Sequence, residues 1–320
     1  MTELLQMEEA VSMLLKAEDI LLLCHKNPDG DTVGSAAALY HALRALGKQA
    51  AVLCADGIPS TYEYMEIGVF RGQFEPRFIA AIDVASIQLF GDPIREYTHR
   101  VDLCIDHHGS NSGYALSTLL DDTAAATAEM LYELIPMLGT QITPMIADCL
   151  YTGLSTDTGC FRFSNTTVRS HKVAAGLIEL GARLEELNAI LFESKSKGRM
   201  AAERVALDSL EYYHNGRCAL IALTKEQIAE SGVAPSDLEG MTSLPRMIEG
   251  VDVGITIRQQ PGGSYKISVR TTKGVDACAI ARRLGGGGHT RAAGCELEGT
   301  LENTKAAIVA EVEKELAKTE

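Results

Sequence analysis

Short apolar runs separated by amphipathic stretches dominate the first 180 residues. The apolar runs predict four strands, at residues 20–24, 50–54, 78–84 and 101–105. Helical spacing of apolar positions predicts helices at residues 1–18, about 34–46, 123–138, 144–151 and near 168–180. Strands that alternate with helices indicate an α/β fold, with a parallel sheet and helices on both faces. In such sheets, ligands bind beyond the carboxyl ends of the strands.

The pattern changes after residue 183. A charged helical stretch at 184–213 is predicted to link a domain of residues 1–183 to a smaller α/β domain of residues 214–320. In the second domain, apolar runs predict strands at 218–223, 251–258 and 265–270, and QQPGGS between the last two predicts a hairpin. A helix is predicted at 275–284, directly before four consecutive glycines.

The composition restricts the partners that the chain can have. It has 320 residues, 46% of them apolar, which is enough for more than one core, and its formal net charge is −14. Long duplex nucleic acid requires a broad basic surface, so we expect no such partner. A small anionic substrate stays compatible with this charge if positive charge is local or comes from a metal.

The N-terminus and the cysteines favour a cytoplasmic protein with no membrane partner. The first residues, MTELLQMEEA, are acidic and lack the basic start of a secretory signal, and no apolar run is long enough to span a membrane. The eight cysteines are scattered without a CxxC pair, which predicts reduced, mostly buried thiols. Cys24 is predicted to point into the core, away from its neighbour His25, because adjacent strand residues face opposite ways.

Acidic and histidine side chains follow the predicted strands at the point where each strand ends. Because the carboxyl ends of parallel strands meet at one edge, we expect these side chains to lie together. The first strand leads into HKNPDGD, the third into Asp83, the fourth into DHH, and a later helix reaches LSTDTG. The candidates are His25, Asp29, Asp31, Asp83, Asp106, His107, His108 and Asp157.

This set of side chains predicts a metal centre. Carboxylates crowded in one cleft repel each other, and divalent cations remove that repulsion. Oxygen ligands with two imidazoles favour manganese, with magnesium, cobalt or zinc as alternatives. The candidate ligands are too many for one ion and suit two ions about 4 Å apart that share a carboxylate. Each feature alone has a simpler explanation, since NPDG forms turns and an Asp after a strand often caps a helix.

The same segments resemble the DHH phosphoesterase superfamily, whose name describes Asp106, His107 and His108. The matching motifs are HKNPDGDTVGS at 25–35, IDVAS at 82–86, DHHGSN at 106–111, GLSTDTGCFRF at 153–163 and GGGGHTRAAG at 285–294. The last resembles the signature of the DHH-associated domain, so the resemblance covers nearly the whole chain. In detail the chain is similar to the stand-alone two-domain oligoribonuclease and 3′-phosphoadenosine-5′-phosphate phosphatase group, often called nanoRNases.

The resemblance implies a role for each candidate. His25 and Asp29 would hold one metal, Asp31, His107 and Asp157 the other, and Asp83 would bridge the two ions. His108 would contact the scissile phosphate, and Asp106 would orient a histidine. The chain has Thr271 where the family pattern has serine after Arg270, so a hydroxyl is retained.

A basic segment in the second domain is the predicted substrate clamp. Residues 251–295 contain seven basic residues, Lys273 among them, and two acids, which gives a local charge of +5. Glycines let backbone N–H groups approach an anion, and the resemblance supports phosphate binding at this segment. Arg282 and Arg283 are interpreted as a solvated helix face. The predicted substrate-binding residues are Arg258, Arg270, Thr271, Gly287, Gly288 and His289.

The implied activity is hydrolysis of short RNA, dinucleotides and 3′-phosphoadenosine-5′-phosphate at a two-metal site. Aromatic residues make up 5% of the chain, too few for a long stacking platform, which favours short substrates. A cyclic-dinucleotide phosphodiesterase and a non-catalytic nucleotide sensor are the alternatives, although a sensor would be expected to lose metal ligands. The glycine-rich motif argues against a pyrophosphatase, and the low share of Cys ligands argues against a structural metal site. A homodimer is compatible with the sequence.

Overall fold

The chain divides into two compact units, each with its own sheet. The computed structural model describes residues 2–233, 238, 241–272 and 274–319. The units are Met1–Ser194 and Lys195–Glu320. Lys273, counted above among the basic residues, lies outside the described residues.

The first unit contains a parallel sheet, which confirms the predicted α/β class. Within the described residues the strand order is β1-β6-β5-β4-β2-β3, and every neighbouring pair is parallel. The strands are β1 (Glu3–Leu4), β2 (Ile20–Leu23), β3 (Ala50–Leu53), β4 (Phe78–Ile82), β5 (Leu103–Asp106) and β6 (Ser117–Leu120).

Helices cover this sheet because its central strands are apolar on both faces. Ile20 and Leu22 belong to one buried cluster, and Leu21 and Leu23 belong to another. This is the pattern expected of a parallel strand buried on both sides. The helices of the unit are α1 (Met7–Lys16), α2 (Gly30–Ala45), α3 (Thr127–Met137), α4 (Pro144–Asp157), α5 (Val168–Glu179) and α6 (Leu184–Asn188).

The first unit differs from the predicted elements in four places. Strand β6 was missed because it is short and half polar, and β1 was assigned to the first helix. Helix α2 begins at Gly30 rather than near residue 34, because the Asp29 side chain accepts hydrogen bonds from Asp31 N and Thr32 N and caps the helix. Helix α4 continues to Asp157, beyond the predicted end at residue 151.

The second unit has a mixed sheet with the order β11-β12-β10-β9-β8-β7 in its described part. Only β8 and β9 pair in parallel among these strands. The strands are β7 (Glu211–Tyr213), β8 (Cys218–Leu223), β9 (Val253–Gln259), β10 (Tyr265–Thr271), β11 (Gly287–His289) and β12 (Ala292–Leu297). The helices are α7 (Lys197–Asp208), α8 (Lys225–Ser231), α9 (Ala277–Arg282) and α10 (Leu301–Leu316).

Strands β9 and β10 alternate between two faces of this sheet. Ile255, Ile257, Ile267 and Val269 lie in a buried cluster that also contains residues of α9 and α10. Their neighbours along the strands, Gly254, Thr256 and Arg258 on β9 and Lys266, Ser268 and Arg270 on β10, therefore lie on the opposite face.

The stretch 184–213, predicted as one helical linker, is divided between the units. Helix α6 and a π-helical turn at Ala189–Glu193 belong to the first unit. Helix α7 and strand β7 belong to the second, where β7 is one edge of the sheet. Charge and helical periodicity alone did not reveal the break, because the residues on both sides of it favour helix.

None of the described helices is long and apolar enough to cross a bilayer.

The prediction that most cysteines are buried is confirmed. All eight thiols lie in the described part of the chain, all are free, and seven are buried. Cys24 has no exposed surface, as predicted for a core residue.

Close contact between α2 and α4 depends on a glycine. A Cβ atom at Gly34 would clash with the carbonyl oxygen of Cys149 and lie 3.0 Å from Gly153 N. We expect Gly34→Ala to lower the free energy of unfolding by about 1–3 kcal/mol, because the two helices would have to separate. Gly262→Ala is the control, since a Cβ there meets no atom within 4 Å. Urea unfolding of both variants measures the effect, and equal stabilities would contradict the packing argument.

Candidate metal centre

Four segments bring the predicted ligands to the carboxyl edge of the first sheet. His25 lies shortly after β2, Asp29 caps α2, and Asp31 lies in the first turn of that helix. Asp83 directly follows β4, and Asp106 ends β5, so His107 and His108 come next. Asp157 is the last residue of α4. The sheet topology therefore places side chains that are distant in sequence at one edge.

The side chains form two adjoining groups. In one, His25 Nε2 lies 3.6 Å from Asp29 Oδ1 and 3.9 Å from Asp83 Oδ2. In the other, His107 Nε2 lies 4.0 Å from Asp31 Oδ2 and 3.6 Å from Asp157 Oδ2. The second oxygen of Asp83, Oδ1, lies 3.6 Å from His107 Nε2. Asp83 therefore presents one carboxylate oxygen to each group.

The two innermost histidines direct Nε2 towards the carboxylates. His25 Nδ1 lies 2.8 Å from Lys26 O, and His107 Nδ1 lies 3.1 Å from Ala124 O. A carbonyl oxygen accepts only, so Nδ1 carries a proton in each ring, and Nε2 has a free lone pair when the ring is neutral. His107 Nε2 is buried and has no hydrogen-bond partner. A buried nitrogen in this state is a suitable metal ligand.

His108 differs from these two histidines. Its Nδ1 donates to Asp106 Oδ1 over 2.8 Å, and its side chain is 43% exposed. Although Nδ1 is also 3.5 Å from Asp83 Oδ1, the shorter bond to Asp106 occupies it. The hydrogen bond to Asp106 raises the pKa of His108, which favours the doubly protonated ring, and Nε2–H is then available to donate to a substrate. Asp106 is itself held by Asn111, whose Nδ2 donates to Asp106 Oδ2 over 2.6 Å.

Several polar residues that the sequence analysis did not single out hold the carboxylates in place. Asp31 accepts hydrogen bonds from Ser35 Oγ at 3.0 Å and from the backbone N–H groups of Thr127 and Ala128 at 2.7 and 3.0 Å. Thr127 Oγ1 donates to Asp83 Oδ1 over 3.0 Å, and Asn165 Nδ2 lies 3.4 Å from Asp157 Oδ2. Ser35 lies one helical turn after Asp31, so its contact follows from helix periodicity. The others join distant segments and leave no sequence signal.

Asp83 adopts a backbone conformation that few residues other than glycine accept. Its φ is +60°, in the left-handed region, where Asp and Asn are tolerated better than most residues. Strained residues of this kind concentrate at functional sites, where the surrounding structure holds them. The conformation directs the Asp83 carboxylate between the two histidines.

The electrostatics of the centre call for positive charge. Burial, followed by the charges of Asp31 and Asp29, raises the pKa of Asp83 well above its usual range. Burial also raises the pKa of Asp31, and burial with the charge of Asp31 raises the pKa of Asp157 to about 7. An adjacent cation would offset both the burial and the repulsion. The unpartnered His107 nitrogen and this oxygen-rich donor set therefore fit a divalent metal.

The predicted substrate residues on β9 and β10 of the second unit have different surroundings. Arg258 is half-buried and lines a cavity of about 110 Å³ with Thr256, Lys266 and Ser268. Arg270 is half-buried, and its Nη1 donates to Val269 O. Thr271 is buried, and its hydroxyl lies 2.8 Å from Val275 O and 3.2 Å from Thr290 O, so it stabilises the backbone.

The glycine motif forms β11, the exposed edge strand of the second sheet. Gly288 has a φ of +143°, and a Cβ there would lie 2.6 Å from Ala292 O, so only glycine fits. His289 lines an open groove of about 470 Å³ together with Arg282 and Arg291. Arg283 instead pairs with Glu311 and Glu315 at 2.6 and 3.1 Å, in line with its interpretation as a surface residue.

Comparison with known proteins identifies the family. The model of the DHH family N-terminal domain matches residues 19–154, and that of the DHHA1 domain matches residues 218–318. A Thermus thermophilus protein named bifunctional oligoribonuclease and PAP phosphatase NrnA is 34% identical over 318 residues, which is 96% of this chain and 94% of that protein. The chain belongs to the DHH family.

Two further similar proteins extend the comparison. The Bacillus subtilis protein of the same name is 26% identical, covering 90% of this chain and 92% of its own length. A crystal structure of an exopolyphosphatase-related protein from Bacteroides fragilis matches with a TM-score of 0.86 and 24% identity over 96% of each chain. This structural match supports the two-unit DHH fold over nearly the full length.

Proposed function

We propose that this DHH family protein is a manganese-dependent phosphodiesterase. It hydrolyses short oligoribonucleotides and linear dinucleotides to 5′-mononucleotides, and 3′-phosphoadenosine-5′-phosphate to AMP. The observation that carries the proposal is the pair of Asp/His groups that share Asp83 at one sheet edge. The near full-length similarity to proteins named oligoribonuclease and PAP phosphatase supports the choice of substrate.

The residues of the centre divide into ligands and substrate contacts. His25 and Asp29 would hold one ion, Asp31, His107 and Asp157 would hold the other, and Asp83 would contribute to both. Bound divalent ions would supply positive charge that neutralises the phosphate and lowers the pKa of a bound water. His108 contacts the scissile phosphate through Nε2, because its Nδ1 is held by Asp106. Asp106 and Asn111 fix the orientation of the His108 ring.

The second unit binds the part of the substrate that lies away from the reacting bond. The residues that make this contact are Arg258, Arg270, Gly287, Gly288 and His289. Thr271 supports the backbone next to Arg270. Substrates of two to about five nucleotides are favoured over long RNA, which rests on the similarity to proteins named oligoribonuclease and on the low aromatic content of 5%.

A panel of substrates tests the proposal. Purified protein with added manganese is assayed against linear dinucleotides, a cyclic dinucleotide, 3′-phosphoadenosine-5′-phosphate, pyrophosphate and long RNA. We expect hydrolysis of the linear dinucleotides and of 3′-phosphoadenosine-5′-phosphate. Preference for the cyclic dinucleotide would indicate the alternative phosphodiesterase, and binding without turnover would indicate a sensor.

Variants of the second unit test its role in substrate binding. We expect Arg270→Ala and His289→Ala to lower kcat/KM for a dinucleotide by about 10–100-fold, because each removes a charge-assisted contact to phosphate. For a small aryl phosphate ester that contacts only the metal centre, kcat/KM should fall much less. The loss should appear mainly as a raised KM, which reports lost binding. Equal losses on both substrates would mean that these residues support the fold and do not bind substrate.

A further inference from the structure

A pair of neighbouring arginines lies on one face of the second sheet. Arg270 on β10 is paired directly with Gly254 on β9, so both residues face the same side of the sheet. Arg246, in the 3₁₀ turn Pro245–Met247, packs on Gly254: a Cβ there would lie 2.5 Å from Arg246 N and 2.9 Å from its Cβ. Because Gly254 has no side chain, Arg246 can lie close to the sheet on the same face as Arg270.

The two guanidinium groups repel each other without a compensating acid. Both side chains are half-buried. Within the residues that the structure describes, neither forms an ion pair with a carboxylate, and the hydrogen bond of Arg270 is to a backbone carbonyl. Burial and the positive charge of Arg246 lower the pKa of Arg270. Arg283 of the same unit, by contrast, pairs with Glu311 and Glu315.

We propose that Arg246 and Arg270 together form a binding site for a phosphate monoester. Two like charges held together in a partly desolvated position destabilise the fold, and a bound anion removes that repulsion. Planar guanidinium groups bind phosphate oxygens through paired hydrogen bonds. The sequence analysis did not include Arg246, because it belongs to no motif.

The charge of the pair selects the chemical class of the ligand. A phosphate monoester carries nearly two negative charges at neutral pH, since its second pKa is about 6, whereas an internal diester carries one. Two fixed positive charges therefore favour a terminal phosphate. This inference rests on the proposed function, where the ligand is the terminal phosphate of a short oligonucleotide or of 3′-phosphoadenosine-5′-phosphate.

Calorimetric titration of AMP into the metal-free full-length protein tests the site without any turnover. We expect Arg246→Gln to weaken AMP binding by about 10–100-fold, as expected for loss of a charge-assisted contact, with a smaller loss for Arg246→Lys. Arg204→Gln, at an exposed arginine on α7, is the control for overall charge and should bind as the wild type does. Arg246→Gln should weaken the binding of the unphosphorylated dinucleotide ApA much less than the binding of AMP.

The stability of the variant separates binding from a structural role. Because Arg246→Gln removes like-charge repulsion, its Tm without ligand should equal or exceed that of the wild type. A lower Tm with unchanged AMP binding would show that Arg246 is structural and would overturn the proposal. Failure of wild-type protein to bind AMP would also overturn it. Neither result depends on hydrolysis, so the proposed function would be judged separately by the substrate panel.

Discussion

Asp83→Ala should lower kcat/KM for dinucleotides by at least about a thousandfold, which corresponds to a loss of about 4 kcal/mol of transition-state stabilisation. Asp83 directs one carboxylate oxygen to each Asp/His group, so its loss weakens both predicted ion sites at once. Other predicted ligands, such as Asp29, face one group only. Metal analysis of the purified variant and its steady-state kinetics measure the effect.

Two further variants separate the carboxylate from the backbone conformation. Asp83→Asn keeps a side chain that tolerates positive φ, and it should be nearly as inactive as Asp83→Ala because the amide carries no charge. Asp19 also has a positive φ, +48°, but it precedes β2 at the opposite end of the sheet. The Asp19→Ala variant should therefore keep the wild-type kcat/KM for dinucleotides. An Asp83→Ala protein that retains both metals and a near-normal rate would disprove the shared-ligand assignment.

His108→Ala should lower kcat by about 10²–10³-fold, the effect of removing one hydrogen-bond donor to the transition state. Metal content should stay unchanged, because the hydrogen bond to Asp106 occupies His108 Nδ1, which lies farther, at 3.5 Å, from Asp83 Oδ1. Metal analysis beside single-turnover kinetics measures both quantities. Loss of an equivalent of metal would make His108 a ligand.

The leaving group distinguishes two ways in which His108 can act. If Nε2–H protonates the leaving oxygen, His108→Ala should lose much less activity on a nitrophenyl ester than on a dinucleotide, because a nitrophenyl leaving group needs no proton. If Nε2–H only stabilises the charge on phosphate, both substrates should lose similar amounts. His41→Ala is the control, since His41 Nε2 forms its hydrogen bond with Met65 O, away from the metal centre.

The apolar runs predicted the central strands of the first sheet because those strands are buried on both faces. The residues at the ends of β2, β4 and β5 could then be assigned to one edge of the sheet from the sequence alone. Strands β1 and β6 gave no such signal, since one has two residues and the other is half polar. The start of α2 was also missed, because Asp29 is both a helix cap and a predicted ligand.

The supporting contacts made by Thr127, unlike that of Ser35, depend on the packing of distant segments and not on local sequence pattern. Thr127 donates to Asp83 across 44 residues, and its backbone N–H reaches Asp31 across 96 residues. Arg246 is likewise placed by the glycine on which it packs. Motifs locate groups that react, whereas the groups that hold them are located only by the packing of distant segments.

Titration of metal-free protein with manganese tests the central claim most directly. The protein is stripped with a chelator, checked by metal analysis, and assayed with a linear dinucleotide after each addition. The proposed centre predicts no hydrolysis without metal and a rise in rate that saturates at about two ions per chain. Full activity of the verified metal-free protein would contradict the claim, and saturation at one ion would contradict a two-ion centre.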